Sequence, residues 1–480
     1  MTNTSTDVPV ARCLIGGKWV DGEGQLADTL SPVTGELISR VRYSSTAQVD
    51  AAAQAARKAQ KEWGKLSIPQ RAEILVKVLD AIAARKDEIA GWIEAEVGTT
   101  PAGAEAELML TIPVAKEAIQ DALRFTGVTQ QTFSEDHPSR RIVVMHKPIG
   151  VGAFISPFNF PVEMIFNMVA AMIVGNACVW KPSEACPYSP SVMAQVITDT
   201  GLLPDGLINI VYGAADVGDA LVRHTNVGFI CFIGSSPTGE AIARAAGMKR
   251  LLLECGGNGP LIVLNDANVD AAVERAIHGC FFLAGQICTA SERILLQSGI
   301  HDEFVAKLSA KAKALKVGDP RDPATDMGPL VSKSTLEKTI RHIEQAKSMG
   351  ATVVTGGNHN GMYHEPTVLI GVTNDMEIAR EETFGPVAPC IKFETLEEAI
   401  ALANDSDYGL VAAVYSESLS SAWTVADALE SGTVRINAGT SDWERRGPSG
   451  GVKRSGIGRE LGEEGLRSFT QTQTLMFHID

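Results

Sequence analysis

The chain of 480 residues has no CxxC pair, no HExxH helix, no Walker A loop and no GxGxxG fingerprint. The first two absences leave no zinc-binding pattern, so no metal site is expected. The last two mean that any nucleotide must be held by some other backbone arrangement. Basic residues are in deficit, 42 Lys and Arg against 57 Asp and Glu, a formal net charge of −15. A nucleic-acid or anionic-membrane surface is therefore not expected. A long apolar run is also missing. The most apolar stretch, Gly150 to Trp180, is interrupted by Pro157, Asn159, Pro161, Glu163 and Asn167, which speaks against a membrane helix. Met1 to Arg12 is polar and lacks the apolar centre of a secretory signal. The eight cysteines are scattered singly, as suits a reducing cytosol, and a cytoplasmic location is expected.

What is present is alternation. Residues 46–126 are Ala-rich with helical apolar spacing, with Val76, Leu79, Ile82 and Ile89 on one face. Short β-rich runs then alternate with helical ones: strands at Arg141–Met145, Cys178–Lys181, Ile208–Tyr212, Gly228–Ile233 and Arg250–Glu254, helices at 188–200, 215–224 and 236–247. A second series has strands at Leu261–Leu264, Arg293–Gln297, Val387–Phe393, Val411–Tyr415 and Thr433–Asn437. This predicts an α/β protein with two Rossmann-like parallel-sheet domains. In the tail, 468–478, Thr470, Thr472 and Thr474 alternate with Phe469, Gln471 and Gln473, which predicts a strand whose partner lies outside the main sheets.

Four segments could carry chemistry. Gly285-Gln-Ile-Cys288 holds a cysteine that, taken alone, reads as a small core residue. Leu253-Glu254-Cys255-Gly256-Gly257 puts a carboxylate at a strand end beside two glycines, where α/β sheets place ligand sites, though a turn carboxylate reads the same way. Ile155-Ser156-Pro157-Phe158-Asn159-Phe160-Pro161 fixes an amide between two prolines, able to donate to an oxyanion. Phe232-Ile233-Gly234-Ser235 enters a predicted helix whose first N–H groups suit a pyrophosphate.

In this order, with Glu254 34 residues before Cys288, these segments resemble the aldehyde dehydrogenase superfamily. So do Lys181-Pro-Ser183-Glu184, Glu381-Glu382-Thr-Phe384-Gly385-Pro386 and the run from Gly450 to Glu460. The resemblance implies an NAD(P)-binding domain (1–126 and 147–256), a catalytic domain (257–457) and a small β oligomerisation arm (127–146 and 458–480). It implies Cys288 as nucleophile, Asn159 with the Cys288 backbone N–H as oxyanion donors, and Glu254 as the base that activates water. A carboxylate at 254 favours hydrolysis over acyl transfer to coenzyme A; the acylating semialdehyde dehydrogenase stays as the alternative, beside a non-enzymatic protein on the same scaffold. For the cofactor the resemblance points to Ile155, Ser156, Pro157, Phe158, Lys181, Ser183, Glu184, Gly213, Gly234, Ser235, Gly239, Cys255, Gly256, Glu382 and Phe384. Glu184, which would repel a 2′-phosphate, favours NAD, with NADP as the alternative.

The implied substrate wall comprises Phe160, Glu163, Met164, Asn167, Phe282, Ile287, Thr289, Trp443, Arg445, Arg446 and Ser449. Glu163 and Asn167 are polar where relatives acting on apolar aldehydes carry aromatics. Arg445 or Arg446 suits a substrate carboxylate, phosphonate or sulfonate; a solvated pair balancing Asp442 and Glu444 is the plainer reading. A small polar or anionic aldehyde is expected as substrate, and a homodimer or homotetramer as the assembly, since an exposed two-stranded arm needs a partner.

Overall fold

A computed structural model describes residues 8–478. Two parallel sheets dominate it. The first has five parallel strands at its centre, in the order Arg250–Glu254, Val227–Ile233, Val151–Ile155, Ala177–Lys181 and Ile208–Ile210. The antiparallel pair Cys13–Ile15 and Lys18–Val20 extends one edge, and Gly456–Ile457 closes the other against Arg250–Glu254. That last strand comes from the stretch expected to end the second domain. The strand Val151–Ile155 is buried along its whole length, so it shows no alternation to read. Arg141–Met145, read both in this series and within the arm segment 127–146, lies outside this sheet, in a separate three-stranded sheet with the tail strand.

The second sheet orders Thr352–Thr355, Thr367–Ile370, Val387–Phe393, Arg293–Gln297, Pro260–Val263, Val411–Tyr415 and Thr433–Ile436. Only its Thr352–Thr355 edge pairs antiparallel. The two strands before 387 are four residues each, too short to show a pattern in sequence; Thr352–Thr355 is also half-polar, whereas Thr367–Ile370 is a brief buried run.

The Ala-rich segment forms four helices, Thr46–Trp63, Ile68–Ala84, Lys86–Val97 and Pro101–Ala122. Ser45 with Gln48, and Ser67 with Gln70, form reciprocal caps that satisfy first-turn N–H groups. Leu79, Ile82 and Ile89 are fully buried and Val76 packs at the edge of the same core.

The tail strand Thr470–Phe477 pairs in antiparallel register with Arg141–Pro148, from Thr470 opposite Pro148 to Phe477 opposite Arg141, and Val128–Gln131 lies on the other side. Its partner thus lies outside both main sheets. Asn176, fully buried, ties this arm to the first sheet. Its carbonyl accepts from Gly150 N (2.8 Å), and its amide donates to Ala171 O (3.0 Å) and Phe469 O (2.9 Å). Substituting Asn176→Ala leaves Gly150 N and Phe469 O dry and without this partner, while Ala171 O keeps its bond from the backbone N–H of residue 176. The expected cost is about 2–4 kcal/mol of unfolding free energy, read as a lower urea midpoint at unchanged slope.

Candidate active site

The cleft lies at the C-terminal ends of the first sheet's central strands, where the chain leaves Val151–Ile155, Ala177–Lys181, Val227–Ile233 and Arg250–Glu254. Its volume is about 640 Å³, within the range of small-molecule and cofactor sites. Cys288, Glu254 and Asn159 all line it, although they are far apart in sequence.

The loop that carries Cys288 is held in a costly conformation. Leu283 (φ 52°), Ala284 (φ 55°) and Gly285 (φ 75°) are successive left-handed residues, a state that L side chains rarely adopt. Gln286, fully buried, locks the loop: its side-chain amide donates to Leu283 O (2.9 Å) and its side-chain carbonyl accepts from Val331 N (2.9 Å). The Asn159 amide donates to Gln286 O (2.8 Å), which aims the amide and leaves its second N–H for another acceptor. Gln286 was missed as a supporting residue because a lone Gln before Cys carries no sequence signal.

Seven of the eight cysteines are buried, and only Cys288 is partly open, toward the cleft. Its recessed position pushes the thiol well above its ordinary pKa, and the charges of Glu163, Glu254, Glu382 and Glu460 push the same way. Glu254 is buried, and its Oε1 meets no hydrogen-bond partner among the described residues. Burial and the neighbouring Glu460 raise its carboxyl well above the usual range, Arg459 pulls it down, and Glu163 adds to the rise. Gly450, at φ 153°, must be glycine for this reason: a Cβ there would stand 2.7 Å from Glu254 Oε1.

Glu460 is buried and its carboxylate accepts from the Asn167 amide (3.0 Å); burial lifts it to about 7 despite that bond. Glu107, from the helix Pro101–Ala122, accepts from Val162 N (2.7 Å) and is raised by burial to about 8. Glu460 ends the family-like run from Gly450, which the resemblance places at the active-site wall; Glu107, by contrast, was not expected here. A carboxylate in a helical pattern reads as solvated until the tertiary structure buries it.

Of the residues named for the cofactor, Ile155, Ser156, Pro157, Phe158, Lys181, Ser183, Glu184, Gly234, Ser235, Gly256, Glu382 and Phe384 line the cleft. Gly213 and Gly239 stand behind its wall. A Cβ at Gly213 would strike Val217, and one at Gly239 would lie 2.5 Å from the Cys255 sulfur. Cys255 itself is buried, its thiol raised by burial to about 12.

These residues fit a dinucleotide. Ser235 precedes the helix Ser236–Ala245 with its hydroxyl on the Thr238 hydroxyl (2.9 Å) and not on a backbone N–H, so the first turn's N–H groups are not capped by it. Ser236 Oγ is buried without a partner among the described residues. The Glu382 carboxylate accepts from Gly257 N (3.0 Å) and is raised by burial to about 8. Phe384 meets Phe158 edge-on, ring centroids 5.9 Å apart. Its strained φ of 58° is held by Glu292, which accepts from Thr383 N and Phe384 N at 2.9 Å each. Thr335 and Lys338, on the helix Lys333–Ser348, also line the cleft; nothing in their sequence context marked them.

The residues named for the substrate separate more. Glu163 lines the cleft with Cys288. Asn167 and Arg445 line a second, smaller cavity with Phe166 and Leu461. Met164 is fully buried against the Cys231 sulfur, in the core rather than on a free wall. Ile287 and Thr289 are buried beside the nucleophile. Phe282 stacks on His278 (centroids 4.8 Å apart), and Trp443 lies under the Arg435 guanidinium (6.0 Å). Phe160 lies half-buried just after Asn159. Ser449 exchanges backbone hydrogen bonds with Glu460 (2.9 and 2.8 Å). Arg446 is spoken for: its guanidinium bonds Asp121 and lies 3.8 Å from Glu117.

Comparison with known proteins agrees with this geometry. The aldehyde dehydrogenase family profile matches residues 19–475. A betaine aldehyde dehydrogenase of Cereibacter sphaeroides is 37% identical over 477 residues, 97% of each chain. The lactaldehyde dehydrogenase of Escherichia coli superposes with a TM-score of 0.95 at 34% identity, over 98% of this chain and 100% of that one. A Staphylococcus aureus betaine aldehyde dehydrogenase, solved in complex with NAD+, superposes with a TM-score of 0.94 at 32% identity, over 98% and 95% of the two chains. No helix among the described residues is long and apolar enough to cross a membrane. With its thiol, carboxyl and amide gathered in one cleft of this fold, the chain belongs to the aldehyde dehydrogenase family, the NAD(P)-dependent enzymes that oxidise aldehydes.

Proposed function

We propose that the protein oxidises a small polar aldehyde to its carboxylic acid by a thioester route ending in hydrolysis. The observation that carries this is the meeting of Cys288, Asn159 and Glu254 on one cleft wall, with Glu254 buried and unpaired. Cys288 passes its proton to water in the cleft and attacks the carbonyl carbon as the thiolate, against a buried setting that favours the thiol. The second N–H of Asn159 and the Cys288 backbone N–H stabilise the alkoxide. NAD, when bound along the cleft, supplies the hydride acceptor. Glu254 then takes a proton from water as that water attacks the thioester. Glu184, half-exposed and 3.6 Å from Lys181, supports NAD as the preferred cofactor. The expected oligomer would cover the exposed edges of the arm.

The coenzyme A alternative lacks support here, because a buried carboxyl stands beside the thioester position. The anionic-substrate reading narrows to Arg445, since Arg446 is paired with Asp121 and Glu117.

In rapid mixing with NAD and aldehyde, Glu254→Gln should give a burst of one NADH per site and then stall, while Cys288→Ala gives no burst. Turnover of the Gln variant at the wild-type rate would overturn the hydrolytic role.

Ionised Glu254 is the working base, and its carboxyl is raised by burial, Glu460 and Glu163 against the pull of Arg459. Deacylation should therefore accelerate as pH rises through and above neutrality. A single-turnover profile that is flat from pH 6 to 9, conditions of about that span being accessible to most enzymes, would contradict this.

Arg445→Ala should lower kcat/KM for succinate semialdehyde roughly 10-fold relative to a neutral aldehyde of equal length. Arg446→Ala should leave that ratio unchanged. The reverse result would show that the wrong arginine was chosen.

A further inference from the structure

Hydrolysis through Glu254 leaves Glu163 without a task. This side chain is 91% removed from solvent, being 9% exposed, yet it lines the cleft that holds Cys288. No hydrogen bond reaches its carboxyl group among the described residues, and no Lys or Arg pairs with it. The groups that face it are acids: Glu460 and Glu107, with Glu254 and the Cys288 thiol beyond them. Arg459, the cation nearest this cluster, acts on Glu254 and donates to the carbonyls of Gly451 and Gly458.

The Glu163 carboxyl opens onto the cleft, where solvent can meet it until a ligand enters; an alkyl chain laid against it without a polar partner would then isolate it from water at a cost. Glu107 and Glu460, buried further still, each have a fixed donor, Val162 N and the Asn167 amide. Glu163 differs in having none, and it differs again in opening onto the reaction cleft. The partner it lacks in the protein is therefore to be sought on the ligand.

We propose that Glu163 is a specificity-determining residue whose carboxyl group pairs with a hydroxyl or amino group carried close to the carbonyl of the aldehyde. The inference rests on the aldehyde-oxidation reading above and names the substrate class for it. Burial, with Glu460 and Glu107 adding to it, raises the Glu163 carboxyl well above the usual range and so favours its neutral form, which can exchange a hydrogen bond with a hydroxyl. A substrate ammonium would instead hold it ionised, as the only cation it meets. The two sources share one chemistry and differ in whether the charge on Glu163 is needed.

The test compares kcat/KM of the full-length enzyme with NAD for three aldehydes: glycolaldehyde, 3-aminopropanal and propanal. Wild type should prefer at least one polar aldehyde over propanal. Glu163→Leu should lower that preference roughly 10- to 100-fold while propanal is still oxidised. Glu163→Gln keeps a hydrogen-bonding amide, so it should spare the preference for the hydroxyl arm and abolish that for the amino arm. Glu163→Met, of similar volume, serves if the Leu variant is recovered poorly. An active Leu or Met variant with both ratios unchanged would overturn the proposal and leave aldehyde oxidation standing. A wild type that reduces no NAD with any of the three would instead sink the oxidation reading, and this inference with it.

Discussion

Carboxyl groups taken out of water without matching cations set the terms for the rest of this cleft. Glu107, Glu163, Glu254 and Glu460 are all buried, and each is pushed up chiefly by that burial. Ionising them together in a dry site would be costly, so their protons are shared out by local hydrogen bonds and by Arg459. The thiol of Cys288 feels the same field. A base in such a place is strong once ionised, because little water competes for its lone pairs. The chemistry proposed for Glu254 depends on that dryness more than on its distance from any single partner.

Holding a thiol beside this cluster requires a rigid loop, and the loop is strained to achieve it. Two non-glycine residues in the left-handed region precede Gly285. Gln286 closes the loop on Leu283 and Val331, and Asn159 fastens its outer side. Phe384 is held in a similar state by Glu292 on the opposite wall. Among the described residues, three of the six non-glycine positions in the left-handed region, Leu283, Ala284 and Phe384, fall on these two segments, while Asn437, Lys453 and Leu461 lie elsewhere.

Reading the arm and the first sheet together shows why local pattern sufficed in some places and not in others. The tail strand was legible because its two faces alternate and it is exposed. Val151–Ile155 was not, because burial on both faces removes alternation and leaves an apolar run. Arg141–Pro148 reads as a strand either way, but nothing in it says which sheet it joins; that follows from Asn176 and from its pairing with the tail.

By itself the sequence determined the fold class and the family likeness, and through that likeness it pointed to Cys288, Asn159 and Glu254; no single segment carries this, since Cys288 alone reads as a core thiol and Glu254 alone as a turn carboxylate, and only their order along the chain singles them out. It also marked most of the cofactor wall. The tertiary structure alone decided which further acids surround the nucleophile, that Met164 belongs to the core, and that Arg446 is held by Asp121. Burial and pairing arise from chain segments hundreds of residues apart, such as Asn167 and Glu460, and no local pattern encodes them. For the same reason the structure sharpened Glu163 from one polar residue in a wall to a buried carboxyl without a partner.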